Sequence, residues 1–124
     1  MQSDRRLFPR YDLVFPVEVH LDPQQEKQIF STESCNISQK SIEVSCDEQI
    51  INTLVAQKSY PHTGRLSFEL PNNQYPFDIA AQVVSHRRLS QHQFLLAFIF
   101  TEEENSWNVT LAEYLKKLRS TPDS

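Results

Sequence analysis

Arg5, Arg6 and Arg10, three arginines within RRLFPR, stand near the start of a 124-residue chain whose formal net charge is −4. Asp4 is the one acid among the first ten residues, so that segment carries +2 and the other 114 residues carry −6. A guanidinium is a planar fork. It donates paired hydrogen bonds to phosphate oxygens or to guanine O6 and N7, and it stacks on flat rings. On a flexible segment, such a cluster can close over a small anion and order itself in doing so. Leu7 and Phe8 offer anchors, and Pro9 holds Phe8 extended. Taken alone, the cluster reads as a solvated basic tail.

A second group lies in CNISQKSIEV, residues 35–44, where Asn36, Ser38 and Ser41 form the pattern N-x-S-x-x-S. Asn supplies both donor and acceptor, and each Ser hydroxyl supplies both through one oxygen. The same residues also favour turns, by bonding nearby backbone. Arg87 is a further cation, read as solvent-facing at the edge of a hairpin and as a lesser candidate for ligand contact.

Other chemistry is poorly represented. Four histidines are scattered without metal-ligand spacing, and the cysteines, Cys35 and Cys46, form no CxxC. They read as free thiols in or near strands. Gly64 is the sole glycine, which excludes Gly-rich phosphate loops and nucleophile elbows. Glu102, Glu103 and Glu104 read as a solvated cluster at a helix entry. No Ser/His/Asp grouping has a recognisable local context, so catalysis is not expected. A pI of about 5.5 argues against general nucleic-acid binding. FLLAFIF, at 94–100, is the longest apolar run and is far short of the roughly 20 residues that span a bilayer. No secretory leader is visible, and a soluble, cytoplasmic protein is the expectation.

These groups need a scaffold. LVFPVEVHL (13–21) alternates Val17, Val19 and Leu21 against Glu18 and His20, the pattern of a strand. KQIFSTESCNI (27–37) is a weaker strand, SIEVSC (41–46) a third and GRLSFEL (64–70) a fourth. FDIAAQVVSHR (77–87) and QFLLAFIF (93–100) follow, joined by a polar hairpin. Residues 47–58 fit either a short helix or an irregular strand edge. NSWNVTLAEYLKKLRS repeats apolar residues at Trp107, Leu111, Tyr114, Leu115 and Leu118, a helical stripe that must dock on the rest, with Asn105 or Ser106 as its cap. The sum is a mainly β single domain over 1–124. It has a flexible ligand-binding arm (1–11), a six-stranded antiparallel, Greek-key-like barrel (12–101) and a docked C-terminal helix (102–120).

Arm and turn together resemble the PilZ domain family, which carries R-x-x-x-R on an N-terminal arm and [DN]-x-S-x-x-G at the start of a barrel strand. Arg6 to Arg10 matches the first motif, with Arg5 as the frequent preceding arginine. Asn36 to Ser41 matches the second except at its last position, and the resemblance covers nearly the whole chain. It implies a receptor for cyclic di-GMP, needing no cofactor or metal, with Arg5, Arg6, Arg10, Asn36, Ser38 and Ser41 at the site. It also implies one bound ligand or a stacked pair and an unidentified protein partner; the acidic charge and the short apolar run argue against nucleic-acid binding and membrane insertion. Ser41 replaces the motif glycine. If that position requires φ > 0, the serine costs about 1–2 kcal/mol, and up to about tenfold weaker binding, or more, follows. Ala97 stands where the family's last strand tends to have glycine, and the aromatic frequent at the end of the preceding strand is replaced around Ser85. Two rivals follow: a PilZ-like adaptor that binds no nucleotide and acts by protein contact, as in type IV pilus assembly, and an oligonucleotide-binding barrel, which the −6 charge outside the arm disfavours.

Overall fold

A computed structural model describes residues 9–21, 28–56, 62–73, 75–101 and 106–120. Six strands are present: β1 (Pro16–Leu21), β2 (Gln28–Ile37), β3 (Ser41–Cys46), β4 (Thr63–Glu69), β5 (Pro76–Arg88) and β6 (Phe94–Phe100). Two helices accompany them, α1 (Glu48–Ala56) between β3 and β4, and α2 (Ser106–Ser120) after β6. Every pairing is antiparallel, and the strands close in the order β1-β2-β3-β6-β5-β4, with β4 back against β1. β4, β5 and β6 form a meander, and β3 returns beside β6, which is a Greek-key connection.

Alternation explains the barrel. Val17, Val19 and Leu21 on β1, Ile42, Val44 and Cys46 on β3, and Phe94, Leu96, Phe98 and Phe100 on β6 are buried in one core. Pro16, lacking an N–H, stands at the first position of β1, where the ladder tolerates it. Strand β1 therefore starts later than the run from residue 13 indicates. One end of the barrel is filled by rings in series, Phe15 to Phe68 at 5.4 Å and Phe68 to Phe77 at 5.1 Å. Gly64 lies on β4 opposite Leu21, where a Cβ would come 2.5 Å from the His20 carbonyl oxygen. A bare backbone is what lets those two strands meet there.

The ambiguous stretch is helical over Glu48–Ala56. Asp47 accepts a hydrogen bond from the Gln49 amide (3.0 Å), a cap for α1, and Ile50, Ile51 and Leu54 are buried. On α2, Trp107, Leu111 and Leu115 are buried, with Tyr114 and Leu118 packed beside them as the stripe requires. Trp107 meets Phe100 edge-on at 5.5 Å, and the Tyr114 hydroxyl donates to the Pro71 carbonyl (2.8 Å). Burial raises the Tyr114 phenol above its ordinary pKa. The expected caps, Asn105 and the Ser106 side chain, and the acidic run at Glu102–Glu104, lie outside the described residues. No helix among the described residues is long and apolar enough to cross a membrane.

Candidate functional site

Two one-residue bulges build the site. On β2, inward positions run Phe30, Thr32, Ser34, and strict alternation would put Asn36 in the core and Ile37 outside. The register instead shifts between Ser34 and Asn36, leaving Cys35 as the extra residue. Asn36 then pairs with Glu43 on the outer face, and Ile37 pairs with Ile42 in the core, each fully buried. On β5 the register shifts between Val83 and Ser85, so Val84 is the extra residue. Ser85 then pairs with Ala97, and Arg87 with Leu95. One row of outward side chains runs Asn36, Glu43, Ala97, Ser85 across β2, β3, β6 and β5. Arg87 lies two residues from Ser85 on that same face and is exposed. Ala97 and Ser85 are small, so the middle of the row is a low floor.

The arm enters this face from β2. Tyr11 and Ile37 exchange backbone hydrogen bonds of 2.8 and 3.0 Å. Ser34, 2% exposed, accepts from the Phe15 amide (3.0 Å) through Oγ and donates to the Leu13 carbonyl (2.5 Å). The segment expected to be flexible to residue 11 is thus held to β2 at its final residue. Arg5 and Arg6, with residues 1–8, lie outside the described residues. Arg10 is placed with Nη1 3.7 Å from Glu43 Oε2. The other carboxylate oxygen of Glu43 accepts from Asn36 Nδ2 at 2.7 Å. Asn36 Oδ1 is buried with no hydrogen-bond partner among the described residues, a loss of about 1–3 kcal/mol for a buried acceptor.

Ser38 is the brace of the turn. Its Oγ accepts from the Lys40 and Ser41 amides, both at 3.1 Å, and lies 3.0 Å from Ser41 Oγ. The Ser38 amide donates to the Ser41 carbonyl at 2.8 Å. At 2% exposure its hydroxyl is committed within the turn. Ser41 does not carry the strain that replacing a glycine threatens. Asn72, at φ 61°, is the one non-glycine residue with positive φ among those described, so Ser41 has ordinary strand backbone. From the tip of the turn, Gln39 Nε2 reaches Asn108 Oδ1 on α2 at 3.4 Å.

The structure thus unites Arg10, Asn36, Ser38 and Ser41 at one end of β2 and β3, and puts Arg87 on the same face two strands away. Sequence reasoning missed Glu43 and Ser34. Glu43 reads as an ordinary outward strand residue until the bulge sets it opposite Asn36. Ser34 reads as a polar flaw in a weak strand, yet a buried serine beside an arm that needs holding is itself a signal. Both cysteines are free. Burial, with Glu43 and Glu33 nearby, raises the half-buried Cys35 thiol, and burial with Asp47 and Cys35 pushes Cys46 up to about 11. Among the described residues, no His/Cys/Asp/Glu cluster could hold a metal.

The chain is similar in fold to several solved structures. The inhibitor of motility MotI/DgrA of Bacillus subtilis aligns with a TM-score of 0.70 at 20% identity, over 98% of this chain and 55% of that one. MrkH of K. pneumonia, in complex with c-di-GMP, gives 0.73 at 13% identity over 94% and 53%. The PilZ domain of YcgR from Escherichia coli, with c-di-GMP, gives 0.60 at 12% identity over 95% and 100%. The chain spans about half the length of the first two. No curated protein matches by sequence. The family model for the PilZ domain matches residues 4–117, spanning the arm, the barrel and most of α2, and the chain belongs to the PilZ domain family.

Proposed function

We propose that this protein is a receptor for cyclic di-GMP rather than an enzyme, binding it on the outer face of β2, β3, β6 and β5. The observation that carries this reading is the seat of Arg10, tied through Tyr11–Ile37 beside Asn36 and held within ion-pair reach of a carboxylate. A guanidinium and a carboxamide so placed suit a ligand that presents phosphates and guanine edges together. Arg10, with Arg6 from the arm, grips phosphate and guanine. Asn36 bonds a base from the sheet, while Ser38 and Ser41 keep the turn in shape. The low floor at Ala97 and Ser85 accepts a flat ring, and Arg87 stands beside it. Arg5 suits a stacked pair of ligands. The arm, residues 1–11, orders over the nucleotide, and the changed surface is what a protein partner reads in the cytoplasm. The similar solved structures with c-di-GMP, MrkH and the PilZ domain of YcgR, support the ligand class.

A calorimetric titration with cyclic di-GMP tests this, run beside Arg10→Ala. Binding by the parent chain, lost in the variant with melting unchanged, is the expected result. Wild-type affinity in Arg10→Ala would place the site elsewhere. The second reading, an adaptor that binds no nucleotide, is favoured by one observation: Glu43 already engages both Arg10 and Asn36. No heat and no thermal shift with the nucleotide would establish it.

A further inference from the structure

Glu43 holds the two groups that a phosphate-bearing ligand would need. Its Oε1 accepts from Asn36 Nδ2 at 2.7 Å, and its Oε2 faces Arg10 Nη1 at 3.7 Å. A carboxylate with both oxygens so engaged has the shape and charge of the anion that the pair is built to receive. The β2 bulge makes this meeting obligatory, because it pairs Asn36 with Glu43 directly across the strands. The Glu43 side chain is only 18% exposed and that of Arg10 is 40% exposed, so the contact lies against the barrel wall and not in open solvent. Asn36 Oδ1 is buried without a partner among the described residues, so within them this amide orientation serves Glu43 at its own expense. Release of Glu43 would let the amide turn.

We propose that Glu43 is the affinity-setting residue of this site: it occupies Arg10 and Asn36 as an internal stand-in for phosphate, and the nucleotide must displace it. The inference rests on the cyclic di-GMP reading above. Its consequence is a receptor held weak until the messenger is abundant. Removing the charge takes away both the competitor and the like-charge repulsion, so Glu43→Gln should bind on the order of tenfold more tightly. That gain should shrink as salt is raised.

Calorimetry with cyclic di-GMP on the parent, Glu43→Gln and Arg10→Ala decides the matter, with melting temperatures checked for unchanged folding. Tighter binding by Glu43→Gln, including binding that appears only in that variant, is the expected result. Unchanged or weaker binding, with the parent still binding and Arg10→Ala still impaired, overturns the inference and leaves the receptor reading standing. A weaker Glu43→Gln would instead make Glu43 a contact to guanine N–H groups. Absence of binding in both parent and Glu43→Gln overturns the receptor reading and this inference with it. In the unliganded protein, Glu43→Ala should move the Asn36 side-chain amide resonances as their charged acceptor is lost. Unmoved resonances would show that the contact does not exist in solution.

Discussion

Ser34→Ala should destabilise the fold and loosen the seat of Arg10, although residue 34 touches no ligand group. Its hydroxyl accepts from the Phe15 amide at 3.0 Å and donates to the Leu13 carbonyl at 2.5 Å, at a position 2% exposed. Alanine removes the one hydroxyl that serves both, leaving the Phe15 amide and the Leu13 carbonyl without it. A buried donor or acceptor left unpaired costs about 1–3 kcal/mol. Phe15 is buried and Leu13 half-buried, so the two together amount to about 2–4 kcal/mol. Unfolding entropy near 2.1 cal/mol/K per residue gives about 0.26 kcal/mol/K for 124 residues, so Tm should fall by about 8–15 °C. Thermal melting by circular dichroism measures this, and urea unfolding should show a lower midpoint at unchanged slope. Ser31→Ala, exposed on the same strand, is the control and should stay within about 0.5 kcal/mol. The affinity for cyclic di-GMP should fall as well, because Arg10 is placed by the segment that Ser34 holds. A drop in Tm under about 3 °C would refute the reasoning and shift the holding of the arm to Tyr11–Ile37 and Arg10–Glu43.

Because Ser41 has ordinary strand backbone and lies 3.0 Å from Ser38 Oγ, Ser41→Gly should cost about 0.5–1 kcal/mol in urea unfolding and leave affinity unimproved. A tenfold gain in affinity would show that the motif glycine matters for room or freedom after all. Cys46, pushed up to about 11 by burial, then Asp47 and Cys35, should ignore thiol reagents at pH 8 in the native protein and react in urea. The sign of its linkage follows. The folded value exceeds the unfolded one, so its contribution is whole below about 8.5 and is lost as pH rises through about 11. Native Cys35, also raised, should react more slowly than a peptide thiol.

The six strands were legible because hydrophobic alternation survives in single segments, as in Ile42, Val44 and Cys46 or Leu66, Phe68 and Leu70. The stripe of α2 was legible for the same reason at helical period. The segment of helix α1 fits a helix and a strand edge alike in sequence, although Asp47 ahead of it is a usable cap signal. The bulges were not legible. Each adds one residue to a strand without marking it in composition, and each reverses which side chains face out. The face shared by Asn36, Glu43, Ala97 and Ser85 therefore waited for the register. The motifs indicated where Arg10 and Asn36 belong, but not that Glu43 sits between them. The cost assigned to Ser41 assumed a left-handed backbone that the turn does not use.

The barrel closes through β1 and β4, where Leu21 pairs with Gly64, forty-three positions further along the chain. The β1–β2 and β2–β3 pairings are local, whereas this seam, like the still longer-range pairing of Ser41 with Ile99 between β3 and β6, joins distant segments. Loop-closure entropy makes such distant pairing slow, and until β4 arrives β1 has one edge unpaired. The only glycine in the sequence sits on that seam, with the His20 carbonyl 2.5 Å from where a methyl group would project. Side chains at position 64 would thus be felt first as slower assembly and a longer-lived open edge, the state most exposed to aggregation during synthesis.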